Sequence, residues 1–181
     1  IVYAGLIGVA QGIPDIAKSI NFSEVGAELH IYGEGSEKKI LEEFLKENPG
    51  RNVFLHNSVG RNEIPDVISK YDSTIIPLVR NIYGAVPSKI YEAMAAGLPI
   101  LFSGSGEGAN IVKNNNAGLV SGPKDFENLK KNIVRLKNST ELRIKMSLNC
   151  RKTAEEKFDR NKLIKDFSEH LKKFGKGKQN G

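Results

Sequence analysis

Cysteine occurs once in these 181 residues, at Cys150, and histidine three times. One thiol excludes an internal disulfide, and one Cys with three scattered His falls short of a zinc cluster. No apolar run approaches the ~18 residues that a membrane-spanning helix requires, which excludes an integral helical membrane protein. The Gly-rich phosphate fingerprints are missing as well: there is neither a GxGxxG nor a P-loop GK[ST]. What is present is balanced, with 39% apolar and 27% charged residues. Collagen-like and wholly disordered chains are thereby excluded, and the length suffices for one α/β domain with a full core.

The net charge of +6 and pI near 9.3 invite a nucleic-acid reading. The distribution argues against it. Residues 1–123 carry 10 Lys+Arg against 13 Asp+Glu, a net of −3, whereas residues 124–181 carry 17 against 8, a net of +9. The basic character belongs to the C-terminal third, and no aromatic RNA-binding motif accompanies it, so no nucleic-acid partner is expected.

The sequence opens directly on a strand, Ile1-Val2-Tyr3-Ala4, with neither an initiator Met nor a signal peptide. A fragment cut from a longer protein at a domain boundary is expected, with one domain over residues 1–174 and a disordered tail over 175–181. Strand-like segments fall at Ile1–Ala4, Glu28–Tyr32, Asn52–His56, Ser73–Pro77, Ile100–Ser103 and Gly118–Val120. Helical stretches lie between them, near Pro14–Asn21, Glu37–Glu47, Glu63–Lys70, Ser88–Ala96 and Ala109–Asn114. Three more helices are expected at Pro123–Leu136, Ser139–Phe158 and Arg160–Phe174, with Ser139 or Thr140 as a cap. This alternation predicts an α/β, Rossmann-like, doubly wound parallel sheet of about six strands. Helices should cover both faces, with extra helices at the C-terminus. Such sheets bind ligands beyond the carboxyl ends of their strands, so the loops after the strands are the ones to inspect.

Four of those loops carry small residues. Gly5–Gly12 follows strand one; it suits a phosphate approaching backbone N–H groups, and equally a plain strand-to-helix turn. Gly33-Glu34-Gly35 reads first as a turn into a helix. Ser103–Gly108 fits a loop closing over a polar ligand or a simple turn. The segment Tyr83–Pro99 is the informative one. Pro87 suits a first helical turn and Gly97 a stop, and Lys89 adds a cation beside the exposed N–H groups of the helix start, favouring a phosphate or pyrophosphate. Glu92, about one turn further, can accept two hydrogen bonds from a vicinal diol such as a ribose, or serve as an ordinary first-turn carboxylate. His30, His56 and His170 form no recognisable triad, and a core or surface role is expected for each. No carboxylate pair offers an acid–base couple. The residues alone reach a nucleotide- or sugar-phosphate-binding α/β domain.

The order of these segments resembles the C-terminal, donor-binding domain of family 4 retaining glycosyltransferases of the GT-B fold. The likeness covers the opening strand and Gly loop, IYGEG, NVFLHNSVGRNEIPDVISKYD, GAVPSKIYEAMAAGLPIL and NNNAGLVSGPKD. The block from Val86 to Pro99 is similar to the variant in bacterial surface-polysaccharide enzymes, including N-acetyl-fucosamine transferases. The resemblance implies that Glu92 holds the donor ribose, that Gly8, Gln11, Gly12, Ser88 and Lys89 meet the diphosphate, that Ser58 and Val59 meet the base, and that Gly84, Ala85 and Val86 meet the donor sugar. It also implies a hexosyltransferase in polysaccharide or lipopolysaccharide synthesis, a UDP-linked amino-sugar donor, no cofactor and no metal. Catalytic and acceptor-side residues, for a lipid-linked or saccharide acceptor, would lie in an N-terminal domain outside this chain. The chain alone should therefore be inactive.

Three departures from the family pattern stand out. Its first motif Glu falls at Gly84, its loop Arg at Leu6 and its loop Lys at Gln11. Lys89 is the nearest replacement for the two missing cations. The resemblance also gives the basic third a context: a cytoplasmic enzyme with peripheral contact to anionic lipid at the inner membrane face, although solvated Lys-rich helices account for the same charge. A GT-B epimerase or phosphorylase domain and a non-catalytic doubly wound regulatory domain stand as alternatives.

Overall fold

The computed structural model describes residues 1–79 and 86–176. Six short strands, β1 (Val2–Ala4), β2 (Leu29–Tyr32), β3 (Val53–His56), β4 (Thr74–Pro77), β5 (Ile100–Ser103) and β6 (Gly118–Ser121), form one sheet in the order β3-β2-β1-β4-β5-β6. Every pairing is parallel. The order reverses between β1 and β4, so the loops after these two strands part at the switch point where doubly wound sheets bind ligands.

Alternation along the strands sets the two faces. Tyr3, Leu29, Ile31, Ile75 and Leu101 point to one side, where they pack with Ile13, Ile16 and Ala17 of α1 (Ile13–Ser19). Leu41 of α2 (Lys38–Glu47) and Leu129, Ile133 and Leu136 of α6 (Phe126–Asn138) close that side. Ile76, Ile100 and Phe102 point to the other side. They meet Ile90, Ala93 and Met94 of α4 (Lys89–Ala95), Ala109 and Val112 of α5 (Glu107–Asn114) and Cys150 of α7 (Thr140–Lys157). Val2 packs beside them against Ile68 of α3 (Ile64–Ile68). Cys150 is fully buried, its thiol contacts the carbonyls of Leu98 and Ala117, and burial pushes it up to about 12.

Local chemistry explains most of the boundaries. Pro14 and Pro65 sit in the first turns of α1 and α3. The Asp125 carboxylate accepts from Asn128 N at 3.1 Å, which starts α6 three residues later than Pro123. Ser139 caps α7 through Leu142 N at 3.2 Å. The last helix, α8 (Arg160–Lys176), runs past the expected limit at 174, so residues 175 and 176 belong to a helix rather than to a tail. It leaves Leu163, Ile164, Phe167 and Leu171 exposed. No helix among the described residues is long and apolar enough to cross a membrane.

Asp125→Ala and Ser139→Ala should each lower stability by about 1 kcal/mol, whereas Ile31→Ala, which opens a cavity in the larger core, should cost about 2–5 kcal/mol. Urea unfolding followed by circular dichroism reads both, and an equal loss at caps and core would contradict this packing.

Candidate functional site

The site grows from two loops that share backbone. The opening loop leaves β1 and is pinned to the β2–α2 loop by Gly5 N to Tyr32 O (2.8 Å), Ile7 N to Glu34 O (2.8 Å) and Glu37 N to Ile7 O (3.0 Å). A Cβ on Gly33 would stand 1.9 Å from the Gly5 carbonyl oxygen, and one on Gly35 2.3 Å from that of Ile7. The expectation of a plain turn at Gly33-Glu34-Gly35 is thereby corrected: these glycines let one loop lie against the other.

Gly8 and Gly12 are buried within the opening loop, where Gln11 N and Gly12 N both donate to Gly8 O, at 3.0 and 3.2 Å. The Gln11 amide folds back over Gly8, and its oxygen is buried without a partner among the described residues. Leu6 and Val9, in contrast, are exposed at the loop surface.

Lys89 comes to this loop from the far side of the switch point. Its chain is so placed that a Cβ on Gly5 would meet Lys89 Nζ at 2.4 Å. The ammonium also stands 6.0 Å from the centre of the Tyr3 ring. Burial pushes the Tyr3 phenol up, so it stays neutral and donates to the Leu6 carbonyl. No carboxylate among the described residues forms an ion pair with Lys89. A half-buried cation without a counter-ion thus lies on the Gly loop.

Glu92 stands one turn along α4, exposed, and accepts from Ser88 Oγ at 3.2 Å. With Arg61, Ile64, Pro65, Ile68, Ala95 and Ala96 it lines a groove of about 350 Å³ between α3 and α4. Ser58 is exposed and Val59 half-buried in the loop that leads from β3 into this wall. The geometry therefore joins Lys89 to the Gly5–Gly12 loop, and Glu92 to the wall that the loop of Ser58 and Val59 enters. Gly84 and Ala85 lie outside the described residues. Val86 is half-buried and packs on the cluster of Ile90, Met94 and Phe102, so its side chain serves the core. The Ser103–Gly108 loop reads as a turn at its start, because Gly104 N and Ser103 Oγ continue the β5–β6 pairing to Ser121 O and Gly122 O. Among the described residues no three His, Cys, Asp or Glu side chains converge as metal ligands.

Two histidines do assemble, contrary to the expectation from sequence. His30 Nδ1 lies 3.0 Å from His56 Nε2, and His30 Nε2 lies 3.1 Å from the Glu28 carboxylate. The signal was available in the alternation: His30 and Tyr32, like Phe54 and His56, occupy same-face positions on neighbouring strands.

The sequence profile of the family described as glycosyl transferases group 1 matches residues 3–153. Solved structures share the fold. HepE from Anabaena, in complex with UDP and glucose, superposes with a TM-score of 0.79 at 17% identity, over 94% of this chain and 48% of that one. A mutant of TarM from S. aureus, in complex with Fondaparinux, alpha-GlcNAc-glycerol and UDP, gives 0.76 at 17%, over 93% and 34%. The C-terminal domain of the group 1 glycosyl transferase LpcC from Francisella tularensis gives 0.71 at 19%, over 87% and 86%. The chain thus spans a third to a half of the first two and most of the third. No curated protein matches the sequence.

The interlocked loops generate a direct expectation. Gly33→Ala should cost about 1–3 kcal/mol or more and should strip amide-exchange protection from Gly5 and Ile7. Gly50→Ala, which has open space around it, should be neutral. Unchanged protection in Gly33→Ala would refute the interlock.

Proposed function

Since the chain belongs to the glycosyl transferases of group 1, we propose that it is the donor-binding domain of a retaining GT-B enzyme that takes a UDP-linked amino sugar. The observation that carries this reading is the Lys89 ammonium lying on Gly5, with Glu92 one turn further on. A diphosphate on the opening loop would be neutralised by Lys89, in the place of the cations that Leu6 and Gln11 do not supply. The Glu92 carboxylate would accept hydrogen bonds from the ribose diol, exchanging its present Ser88 donor for a ligand one. The base would lie toward Ser58 and Val59, with its apolar edge toward the Ile64 and Pro65 wall. Neighbours held with UDP support UDP as the nucleotide.

In the transfer itself, charge builds on the departing diphosphate as the anomeric bond breaks. Lys89 and the backbone N–H groups at Gly8, Gly12 and Ser88 are placed to stabilise that charge. No metal or cofactor is assigned. The acceptor, a lipid-linked or growing saccharide of a surface polysaccharide such as lipopolysaccharide, would be bound by protein outside these residues. These 181 residues alone should therefore bind nucleotide and transfer nothing. The strongly basic region after residue 123 would favour peripheral contact with anionic lipid at the cytoplasmic membrane face.

Calorimetric titration with UDP, GDP, ADP and TDP tests the assignment, with UDP expected to bind tightest. Lys89→Ala should weaken UDP about ten- to a hundredfold, equivalent to roughly 1.5–3 kcal/mol, and Glu92→Gln should weaken it less. Absence of binding by all four nucleotides would overturn the assignment, and equal affinities of wild type and Lys89→Ala would remove Lys89 from the site.

A further inference from the structure

We propose that the His30–His56 pair is a positioning element that holds the ligand loops in register while it carries at most one added proton, and loosens them when both rings are protonated. The proposal rests on reading the opening loop and residues 57–59 as ligand-binding, as above.

The pair belongs to a column of four rings formed by the β2–β3 register. Phe54 and His30 have ring centroids 4.8 Å apart, His30 and His56 5.2 Å, and His56 and Tyr32 4.3 Å, with interplanar angles of 24°, 7° and 12°. Tyr71, just beyond α3, tilts onto His30 at 5.0 Å, and its hydroxyl lies 2.8 Å from that of Tyr32. The upper end of the column is the root of three loops. Tyr32 O receives Gly5 N of the opening loop, Tyr32 is followed directly by Gly33, and His56 is followed directly by the segment 57–59.

Hydrogen-bond accounting limits the protons this column tolerates. The Glu28 carboxylate accepts, so the His30 Nε2 facing it carries the hydrogen. Neutral His30 then turns the Nδ1 lone pair toward His56 Nε2–H. One added proton reverses that bond, with His30 Nδ1–H donating to the lone pair of His56 Nε2. A second proton places N–H on both facing atoms and two positive charges across the 3.0 Å contact, and the bond is lost. The other titratable groups around the pair are the Tyr32 and Tyr71 phenols, with Lys70 and Asp72 in the cavity wall below His30. Burial first, and then the hydrogen bond to Tyr32, push the Tyr71 phenol up, so it stays neutral.

Burial, and then the neighbouring His30, hold His56 below its ordinary value of 6.5. The unfolded chain therefore takes up this proton before the folded one. The arrangement is complete above pH 6.5 and weakens as pH falls below that value toward the folded one.

The test compares wild type, His56→Phe (which keeps a ring in the column but cannot titrate) and His56→Asn at about pH 7.5 and about pH 5.5. Two readouts are taken: UDP affinity by calorimetry, and amide-exchange protection factors at residues 5–8 and 57–59 without ligand. Wild type should lose about five- to tenfold in affinity on acidification beyond any loss in His56→Phe, with protection at both loops falling in parallel. The variants should show little pH dependence of protection, and His56→Asn, which retains hydrogen-bonding groups, should bind more tightly than His56→Phe at the higher pH. Equal affinity losses in wild type and His56→Phe would assign the effect to protonation of the diphosphate and overturn the proposal, as would wild-type protection that does not change with pH. If UDP binds at neither pH, the donor-site reading fails, and the exchange measurement alone still decides the positioning role.

Discussion

The contact on which the site depends is one between two stretches of backbone. The Gly5 carbonyl occupies space that any side chain at Gly33 would need, and the Ile7 carbonyl does the same at Gly35. Hydrogen bonds from Gly5 N to Tyr32 O and from Ile7 N to Glu34 O run between the same two loops, so their separation is set by main-chain atoms rather than by flexible side chains. A surface for a diphosphate needs this rigidity, because donors aimed at an anion are useful only where they need no rearrangement. Everything else at the carboxyl edge is placed relative to that pair. Lys89 lies on Gly5, Tyr3 supports Lys89 from below, and the ring column under Tyr32 carries the roots of the loops.

The electrostatics follow the same plan. Residues 1–123 carry a net charge of −3, so the positive character of the chain as a whole does not supply the site. A single half-buried ammonium does. It is effective because Tyr3, the nearest ionisable group in contact with it, is kept neutral by burial and does not cancel its charge. The basic residues after 123 mostly decorate α6, α7 and α8, and several are engaged locally. Lys137 holds Val25 O at 2.8 Å, and Arg143 holds Leu136 O and Lys137 O at 2.8 and 2.6 Å at the end of α6.

Six strands and eight helices were legible in the sequence because each announces itself locally. Apolar runs of four or five residues, Pro at helix starts, and polar caps at Asp125 and Ser139 carry the pattern without reference to anything distant. The boundaries that moved did so for capping reasons, as at Asp125. The role of Lys89 was half legible: its position at the head of a helix suggested an anion, but the route of its side chain to Gly5 depends on how α4 packs across from β1. The histidine pair was not read at all, because residues 26 apart meet only once β2 and β3 take their register.

The sequence by itself determined the fold class, the family and the types of residue available for a phosphate and a ribose, since periodicity, turn chemistry and motif spacing are properties of neighbouring residues. Tertiary structure alone decided which glycines are needed for close approach, which cation reaches the Gly loop, that Val86 turns into the core, and that two histidines share a hydrogen bond. These are outcomes of strand register and of crossovers between distant segments, and a parallel sheet brings such segments together only when the whole of it is assembled.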